Sequence, residues 1–412
     1  MQVCPRLFLR LVVGCSSVIL LAPGNSVRAG EQQVQAMVEQ SWRLVSQNYV
    51  DPGFNQLDWH RLGDRLLNRP YDNGPQAYSA IQAALNQLQD PYTRLIEPRH
   101  GSNSGQEAGL GLHLSRDRES GYLQVVSAII ASPAHRLGVH PGDLITAIAG
   151  QSTRGLSLED AVDRICGPEG SEVVLQIQRG PQEKVLTATR EIITPPDLEF
   201  RLVPMHSLQV GYMRLSQFQP ESGQQVHHAL QKLDERGAEA YILDLRNNPG
   251  GQLQSSIEIA QMFIEKGVIL SLWGRDGEME VIETQGEQLT TKPLVVLINQ
   301  GSASASEVLA AALRDHQRAV LVGTSTFGKG SVQAVHTLAD GASLVVTVAY
   351  YQTPAGENID QRGVQPDHLV SLTAAEEATL RQSPEGLGST ADPQFRAAVQ
   401  ILLPGTAVSA AR

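Results

Sequence analysis

At 412 residues the chain is long enough for two or three domains of roughly 150 residues each. Hydrophobic residues (41%) outnumber charged ones (18%) by enough to fill packed cores, which excludes a disordered or collagen-like chain. A net charge of −11, with no local cluster of Lys and Arg, excludes electrostatic capture of a phosphate backbone, so nucleic acid is not an expected partner.

The N-terminus places Arg6 and Arg10 before an apolar run from Leu11 to Pro23 that closes on Val27-Arg28-Ala29. A positive start, a short apolar stretch and a small-residue exit read as a secretory signal peptide over residues 1–29, too short to span a bilayer comfortably. A retained anchor is the alternative. Lipid attachment at Cys15 fits less well, because most of the apolar run follows that cysteine. Cleavage removes three arginines and no acid, leaving 29 basic against 43 acidic residues. It also leaves Cys166 as the lone cysteine, which excludes an internal disulfide and a multi-cysteine metal site. The mature chain reads as soluble and exported.

Between residues 30 and 97 the apolar positions Val34, Met37, Val38, Trp42, Val45 and Tyr49 keep to one helical face. Further helices are expected around Trp59–Leu67 and Tyr78–Leu88, giving a small helical region whose apolar face is core. Residues 98–190 change to short β-type runs (Gly111–Leu114, Tyr122–Val126, Leu144–Ala147, Val173–Gln178) with helical pieces at Ser132–Leu137 and Leu158–Ile165. That is a domain-sized β-rich unit, closed by a linker at Pro195-Pro196. From 191 to 375 strands (Gly211–Leu215, Tyr241–Leu245, Leu294–Asn299, Val320–Val322, Ser343–Tyr351) run with helices between the first four, at about Gly223–Glu235, Leu253–Glu265 and Ser306–Asp315. Such alternation predicts a mostly parallel α/β sheet with ligands at the carboxyl ends of its strands. Residues 376–412 form a C-terminal segment of weak periodicity.

Four motifs can carry chemistry. Strand Leu294–Asn299 runs into Gln300-Gly301-Ser302-Ala303-Ser304-Ala305-Ser306-Glu307 and a helix. Small residues there admit a substrate to the backbone, and the free N–H groups of the helix start suit an oxyanion. A serine in this turn is either a nucleophile or half of a Ser-x-x-Glu capping box. Lys329, held between Gly328 and Gly330, is a general base only if burial brings its pKa from ~10.4 toward ~7–8, and Gln333 lies four residues on to orient the amine through its amide oxygen. Asp244-Leu245-Arg246-Asn247-Asn248-Pro249-Gly250-Gly251 is a Gly-rich turn that can offer a second backbone N–H beside that of Ala305. Gly109-Leu110-Gly111-Leu112 can bind a peptide carboxylate while the following strand edge accepts the peptide, with Leu112, Leu114, Val162 and Ile165 as the apolar pocket. The histidines show no metal-binding helical spacing, and no metal or other cofactor is expected.

Together these motifs resemble the carboxyl-terminal processing peptidases, the PDZ-containing tail-specific serine proteases. The likeness runs from about Val34 to Val370 and includes Tyr49-Val50-Asp51-Pro52, Leu88-Gln89-Asp90-Pro91-Tyr92-Thr93-Arg94, the PDZ run Ser132 to Gly150, Gly167-Pro168-Glu169-Gly170 and Gly363-Val364-Gln365-Pro366-Asp367. The helical start and the Asp-Pro-Tyr-Thr segment look most like the cyanobacterial and chloroplast branch. The resemblance implies a multidomain α+β and α/β architecture: an N-terminal helical region (30–97), a PDZ domain (98–190) and an α/β spiral catalytic core of the ClpP/crotonase type (191–375). It implies Ser304 as nucleophile, Lys329 as base, Gln333 as its orienting partner, and the backbone N–H groups of Gly250 and Ala305 as oxyanion donors. Gly109, Leu110, Gly111 and Leu112 would form the PDZ carboxylate loop. The expected partners are proteins or peptides with flexible C-terminal tails, in the thylakoid lumen or periplasm, one candidate being a photosystem II reaction-centre precursor. Monomer and homo-oligomer are equally compatible with the sequence. Two other classes stay open: a PDZ-based scaffold with an inert core, and an acyl-CoA enzyme on a related spiral fold, disfavoured by the signal peptide.

Overall fold

The computed structural model describes residues 26–98, 108–117, 119–193, 197–205, 208–286, 288–383 and 386–403. Most of the expected signal peptide and the Pro195-Pro196 linker lie outside them. Among the described residues no helix is long and apolar enough to cross a membrane.

The helical region comprises α1 (Ser26–Asn48), α2 (Trp59–Leu67), α3 (Gly74–Asn86) and a short strand β1 (Arg94–Ile96). Asp58 and Asn73 cap α2 and α3 by accepting the N–H groups of Arg61 and Gln76, as short polar side chains do at helix starts. The face predicted from period 3.6 is buried: Met37, Val38, Val45, Trp59, Leu62, Ile81 and Leu85 form one cluster. That cluster also takes in Leu344 and Val346, so the helical region is not free-standing but packs on a strand of the third unit.

The second unit contains β2 (Leu112–Arg116), β3 (Leu123–Ala128), α4 (Pro133–Arg136), β4 (Leu144–Ile148), β5 (Gln151–Ser152), α5 (Leu158–Ile165), β6 (Glu172–Arg179) and β7 (Gln182–Thr189). Its strands are antiparallel in the order β2-β3-β4-β6-β7, with β5 paired to β4. Strand β2 is therefore an edge, and α5 packs beside it.

The third unit begins with β8 (Leu198–Met205), β9 (Leu208–Leu215), α6 (Ser222–Glu235), β10 (Ala240–Asp244), α7 (Leu253–Phe263), β11 (Val268–Gly274) and β12 (Gly277–Glu283). It continues with β13 (Leu294–Ile298), α8 (Ala305–Asp315), β14 (Val320–Gly323), β15 (Ser331–Thr337), β16 (Ser343–Gln352), β17 (His368–Leu369), α9 (Ala374–Gln382) and α10 (Pro393–Leu402). Strands β17, β14, β13, β10 and β9 form the expected parallel sheet, with β8 antiparallel at its edge. Strands such as β10 and β13 are buried on both faces. Tyr241, Leu243, Val296 and Ile298 pack toward α6, α7 and α8, while Ala240, Ile242, Val295 and Leu297 pack against Phe395, Ala398 and Val399 of α10. Two features correct the expectation. The Ser343–Tyr351 strand, read as part of the parallel array, belongs to a separate antiparallel sheet with β1, β11, β12 and β15. The tail, read as weakly periodic, supplies α10 as the cover of one sheet face; its apolar stripe is legible only once the sheet it covers is known.

Candidate active site

Strand β13 delivers the chain into the turn 299–304, and α8 leaves it. Of the three serines in this turn and the start of α8, two are structural. Ser302 and Ser306 are fully buried and donate to the backbone oxygens of Leu245 (2.7 Å) and Asn248 (2.9 Å), lacing the turn to the end of β10. Ser304 is partly exposed and forms a capping box with Glu307, its hydroxyl donates to no backbone oxygen among the described residues, unlike those of Ser302 and Ser306, and its backbone sits at φ 56°, ψ −117°. A non-glycine residue held in that region is strained and persists only where its surroundings over-determine it. What over-determines it is Glu307. Its carboxylate accepts the N–H of Ser304 (2.8 Å) and also the N–H of Lys329 (2.8 Å), the N–H of Gly328 (2.7 Å) and the hydroxyl of Thr326 (2.5 Å). The capping reading of Glu307 thus captures one of four bonds; the other three join the serine turn to the lysine loop. Burial pushes the Glu307 carboxyl up, and the four donors pull against it.

Lys329 follows β14 and is half-buried. Burial and the positive charge of Arg94 lower its pKa, against an opposing pull from Glu307. Its ammonium nitrogen lies 5.0 Å from the centroid of the Tyr92 ring. Gln333, on β15, spends its amide N–H groups on Ser331 Oγ (3.0 Å) and Thr347 Oγ1 (3.4 Å), which leaves the amide oxygen as the group able to receive an amine. Among the described residues no hydrogen bond joins the Lys329 amine to the Ser304 hydroxyl or to Gln333.

The Gly-rich turn after β10 lies against Ser304. A Cβ on Gly250, whose φ is +96°, would sit 2.6 Å from the Ala303 oxygen and 2.9 Å from both Ala305 N and Ser304 Cβ, so only glycine fits. The two expected oxyanion donors are therefore neighbours but not equally available. The Ala305 N–H heads α8 and has no acceptor within the helix. The Gly250 N–H is turned instead to Asn248 Oδ1 (2.9 Å).

The carboxylate-loop residues Gly109, Leu110, Gly111 and Leu112 lead into edge strand β2. Leu110 is buried and Gly111 adopts φ +72°; their carbonyls accept the N–H groups of Ala134 (3.0 Å) and Ile129 (2.9 Å). Leu112 and Leu114 are partly buried, Ile165 is buried and Val162 is exposed, so the expected pocket lies between β2 and α5. This unit reaches the serine turn: a Cβ on Gly301 would lie 3.2 Å from Pro141 Cγ. A chamber of ≈ 380 Å³ opens where the three units meet, lined by Pro91, Tyr92, Arg116, Asp117, Phe327 and Gly328 among others.

Sequence reasoning missed a buried ionic cluster below the site. Arg246 donates to Asp244 (2.9 Å), Asp392 (2.7 Å) and Gln394 (2.8 Å), and Tyr212 donates to Asp244 (2.7 Å). Burial acts to raise the Asp392 carboxyl, and Arg246 outweighs it and holds the group below the ordinary range. Only the Asp244-x-Arg246 pair is close in sequence; Asp392 comes from the tail.

Residues 209–370 match Peptidase family S41 and residues 124–179 match the PDZ domain. The "Carboxyl-terminal-processing protease" of Synechocystis sp. is 41% identical over 91% of this chain and 88% of its own length. The "Carboxyl-terminal-processing peptidase 2, chloroplastic" of Arabidopsis thaliana is 36% identical over 86% of this chain and 72% of its own. The solved "Photosystem II D1 C-terminal processing protease" superposes with a TM-score of 0.78 at 33% identity, covering 88% of this chain and 99% of that one. A half-buried serine–lysine neighbourhood on an α/β core, beside a PDZ unit, occurs here in a chain that matches these proteases along nearly its whole length, and the chain belongs to peptidase family S41 as a carboxyl-terminal-processing serine protease.

Proposed function

We propose that Ser304 is the nucleophile, Lys329 its base and Gln333 the residue that orients the base. Neutral Lys329 takes the Ser304 hydroxyl proton as Oγ bonds to a peptide carbonyl carbon near the substrate's C-terminus. The N–H of Ala305, joined by that of Gly250 once its peptide turns away from Asn248, holds the oxyanion. Lys329 then protonates the leaving amine as the C–N bond breaks, and water, deprotonated by the same amine, releases the acyl-enzyme. The observation that carries this reading is the selective freedom of Ser304: its two neighbouring serines are tied into the scaffold, while it sits strained and partly open beside the lysine loop.

The PDZ unit captures the tail, with the loop Gly109–Leu112 receiving its carboxylate and β2 its backbone. By likeness to the photosystem II D1 processing protease, the substrate is the C-terminal extension of a reaction-centre precursor, met after export to the thylakoid lumen or periplasm.

The test is to incubate wild type, Ser304→Ala and Lys329→Ala with a folded protein bearing an unstructured apolar C-terminal tail and read the products by mass spectrometry. Wild type is expected to trim the tail and neither variant to do so. Tail binding without trimming by all three would favour the scaffold reading. Because the active base is an amine whose pKa burial lowers, the rate should fall as pH drops through a value below the ordinary ~10.4 of lysine. A limb near ~6.5 in the pH–rate profile would instead indicate a histidine base.

A further inference from the structure

The segment Asp90-Pro91-Tyr92-Thr93-Arg94 belongs to the helical region, far from the serine and lysine motifs in sequence, and nothing in the mechanism above uses it. Its construction is nonetheless elaborate. Buried Asp90 accepts the Tyr92 N–H (3.0 Å) and the Thr93 hydroxyl (2.6 Å). Thr93 Oγ1 in turn accepts the Thr347 N–H of β16 (3.0 Å), and β1 pairs with β16 with Arg94 opposite Val345. Thr347 is also the residue whose hydroxyl receives the Gln333 amide (3.4 Å). The segment is thus riveted to the strand that supports the lysine's partner, and the result of the riveting is that the Tyr92 ring faces the Lys329 ammonium at 5.0 Å while lining the chamber with Phe327 and Gly328.

We infer that Tyr92 is a positioning residue for Lys329: the face of its ring holds the end of the lysine stem at the edge of the chamber that Tyr92, Phe327 and Gly328 line. The inference rests on the reading of Lys329 as the base. The chemistry requires such a device. A lysine amine on a four-carbon stem samples many rotamers, whereas a base must return to one place on every turnover. An aromatic face attracts the charged amine at this distance and offers only van der Waals contact to the neutral one, so it restrains the stem in both protonation states without hydrogen-bonding to the lone pair. The charged or titratable groups around Lys329 are Arg94 of β1, Glu307 of α8 and Tyr92 itself. Arg94 disfavours the ammonium, whereas Glu307 and the ring favour it.

These opposing signs make the test sharp. In the full chain, Tyr92→Leu, Tyr92→Phe and Arg94→Gln are assayed beside Ser304→Ala and Lys329→Ala, measuring kcat, KM and the acid limb of kcat on a synthetic peptide with an apolar C-terminal tail. Tyr92→Leu is expected to lower kcat about tenfold, leave KM within about twofold, and move the acid limb to lower pH. Tyr92→Phe, which keeps the ring, should recover most of the rate and the limb. Arg94→Gln should move the limb the other way, to higher pH. A Leu variant with unchanged or raised kcat, or with an unmoved limb, overturns the inference, as does a Phe variant as impaired as Leu. Should Tyr92→Leu not fold, as judged by its melting transition, Tyr92→Met, which fills the space without a ring, takes its place under the same criteria. If Lys329→Ala cleaves at the wild-type rate, the serine–lysine reading itself has failed and the inference falls with it, a result distinct from a dead Lys329→Ala beside an unaffected Tyr92→Leu.

Discussion

Glu307→Ala should lower kcat by about 100-fold or more, although Glu307 neither attacks nor moves a proton in the proposed chemistry. Its carboxylate is fully buried and, among the described residues, is the sole tie between the Ser304 turn and the Thr326–Lys329 loop that uses side-chain atoms. Alanine leaves three backbone N–H groups and one hydroxyl without their acceptor, and a buried unsatisfied donor costs about 1–3 kcal/mol. The two loops would then relax apart, and a displacement of the order of 1 Å between nucleophile and base is enough for a loss of that size. Glu307→Gln separates the two halves of the effect. One carboxylate oxygen serves Thr326 and Gly328, the other Ser304 and Lys329, and glutamine keeps only one of these pairs because its NH₂ faces donors. An intermediate rate with a lowered denaturation midpoint is expected. Activity of Glu307→Ala within threefold of wild type would show that the loops hold their geometry without it.

Arg246→Ala is expected to produce the largest loss of stability, about 3–5 kcal/mol. The guanidinium is buried between Asp244 and Asp392, themselves 1% and 0% exposed, so its removal strands two carboxylates in the interior. Arg246→Met would fill the space but strand the same two acids, and should be nearly as damaging. The effect reaches further than the cluster, because Asp392 also caps α10 by accepting the N–H of Gln394 (3.0 Å), and α10 covers one face of the parallel sheet. Urea denaturation of the variant should therefore begin with loss of protection in α10, readable by amide hydrogen exchange. The pH dependence follows from the sign of the shift. Arg246 holds Asp392 below its ordinary range, so the contribution is complete above the unfolded value of ~3.9 and is lost as pH falls through the folded value. Wild type and Arg246→Ala should converge in stability in that acid range. A variant that melts within a degree or two of wild type at neutral pH would contradict this account.

Much of the local structure was legible in the chain. Helix α2 occupies the predicted Trp59–Leu67, and α5 the predicted Leu158–Ile165, because each carries its own capping residue, Asp58 or Ser157, and a one-sided apolar pattern. Unbroken apolar runs such as Leu294–Ile298 declare strands buried on both faces. Strands whose residues are mostly exposed did not declare themselves: β12, reading Gly-Glu-Met-Glu-Val-Ile-Glu, is held by pairing with β11 rather than by a buried face of its own. The helix α10 was overlooked because Phe395, Ala398, Val399 and Leu402 look like a modest stripe until they meet the parallel sheet.

By itself the sequence determined the order of units and the buried strands of the core, and it singled out Ser304, Lys329, Gln333 and Gly250 as candidates, since the motifs around them are read within a few positions along the chain. Only the tertiary structure shows that Ser302 and Ser306 are tied into the scaffold, that Glu307 is a bridge and not merely a cap, that the Gly250 N–H is turned to Asn248, and that Tyr92 faces Lys329. These depend on hydrogen bonds and contacts between segments remote in sequence, whose partners are chosen by how sheets and helices pack, and a local pattern of residue types carries no record of that choice.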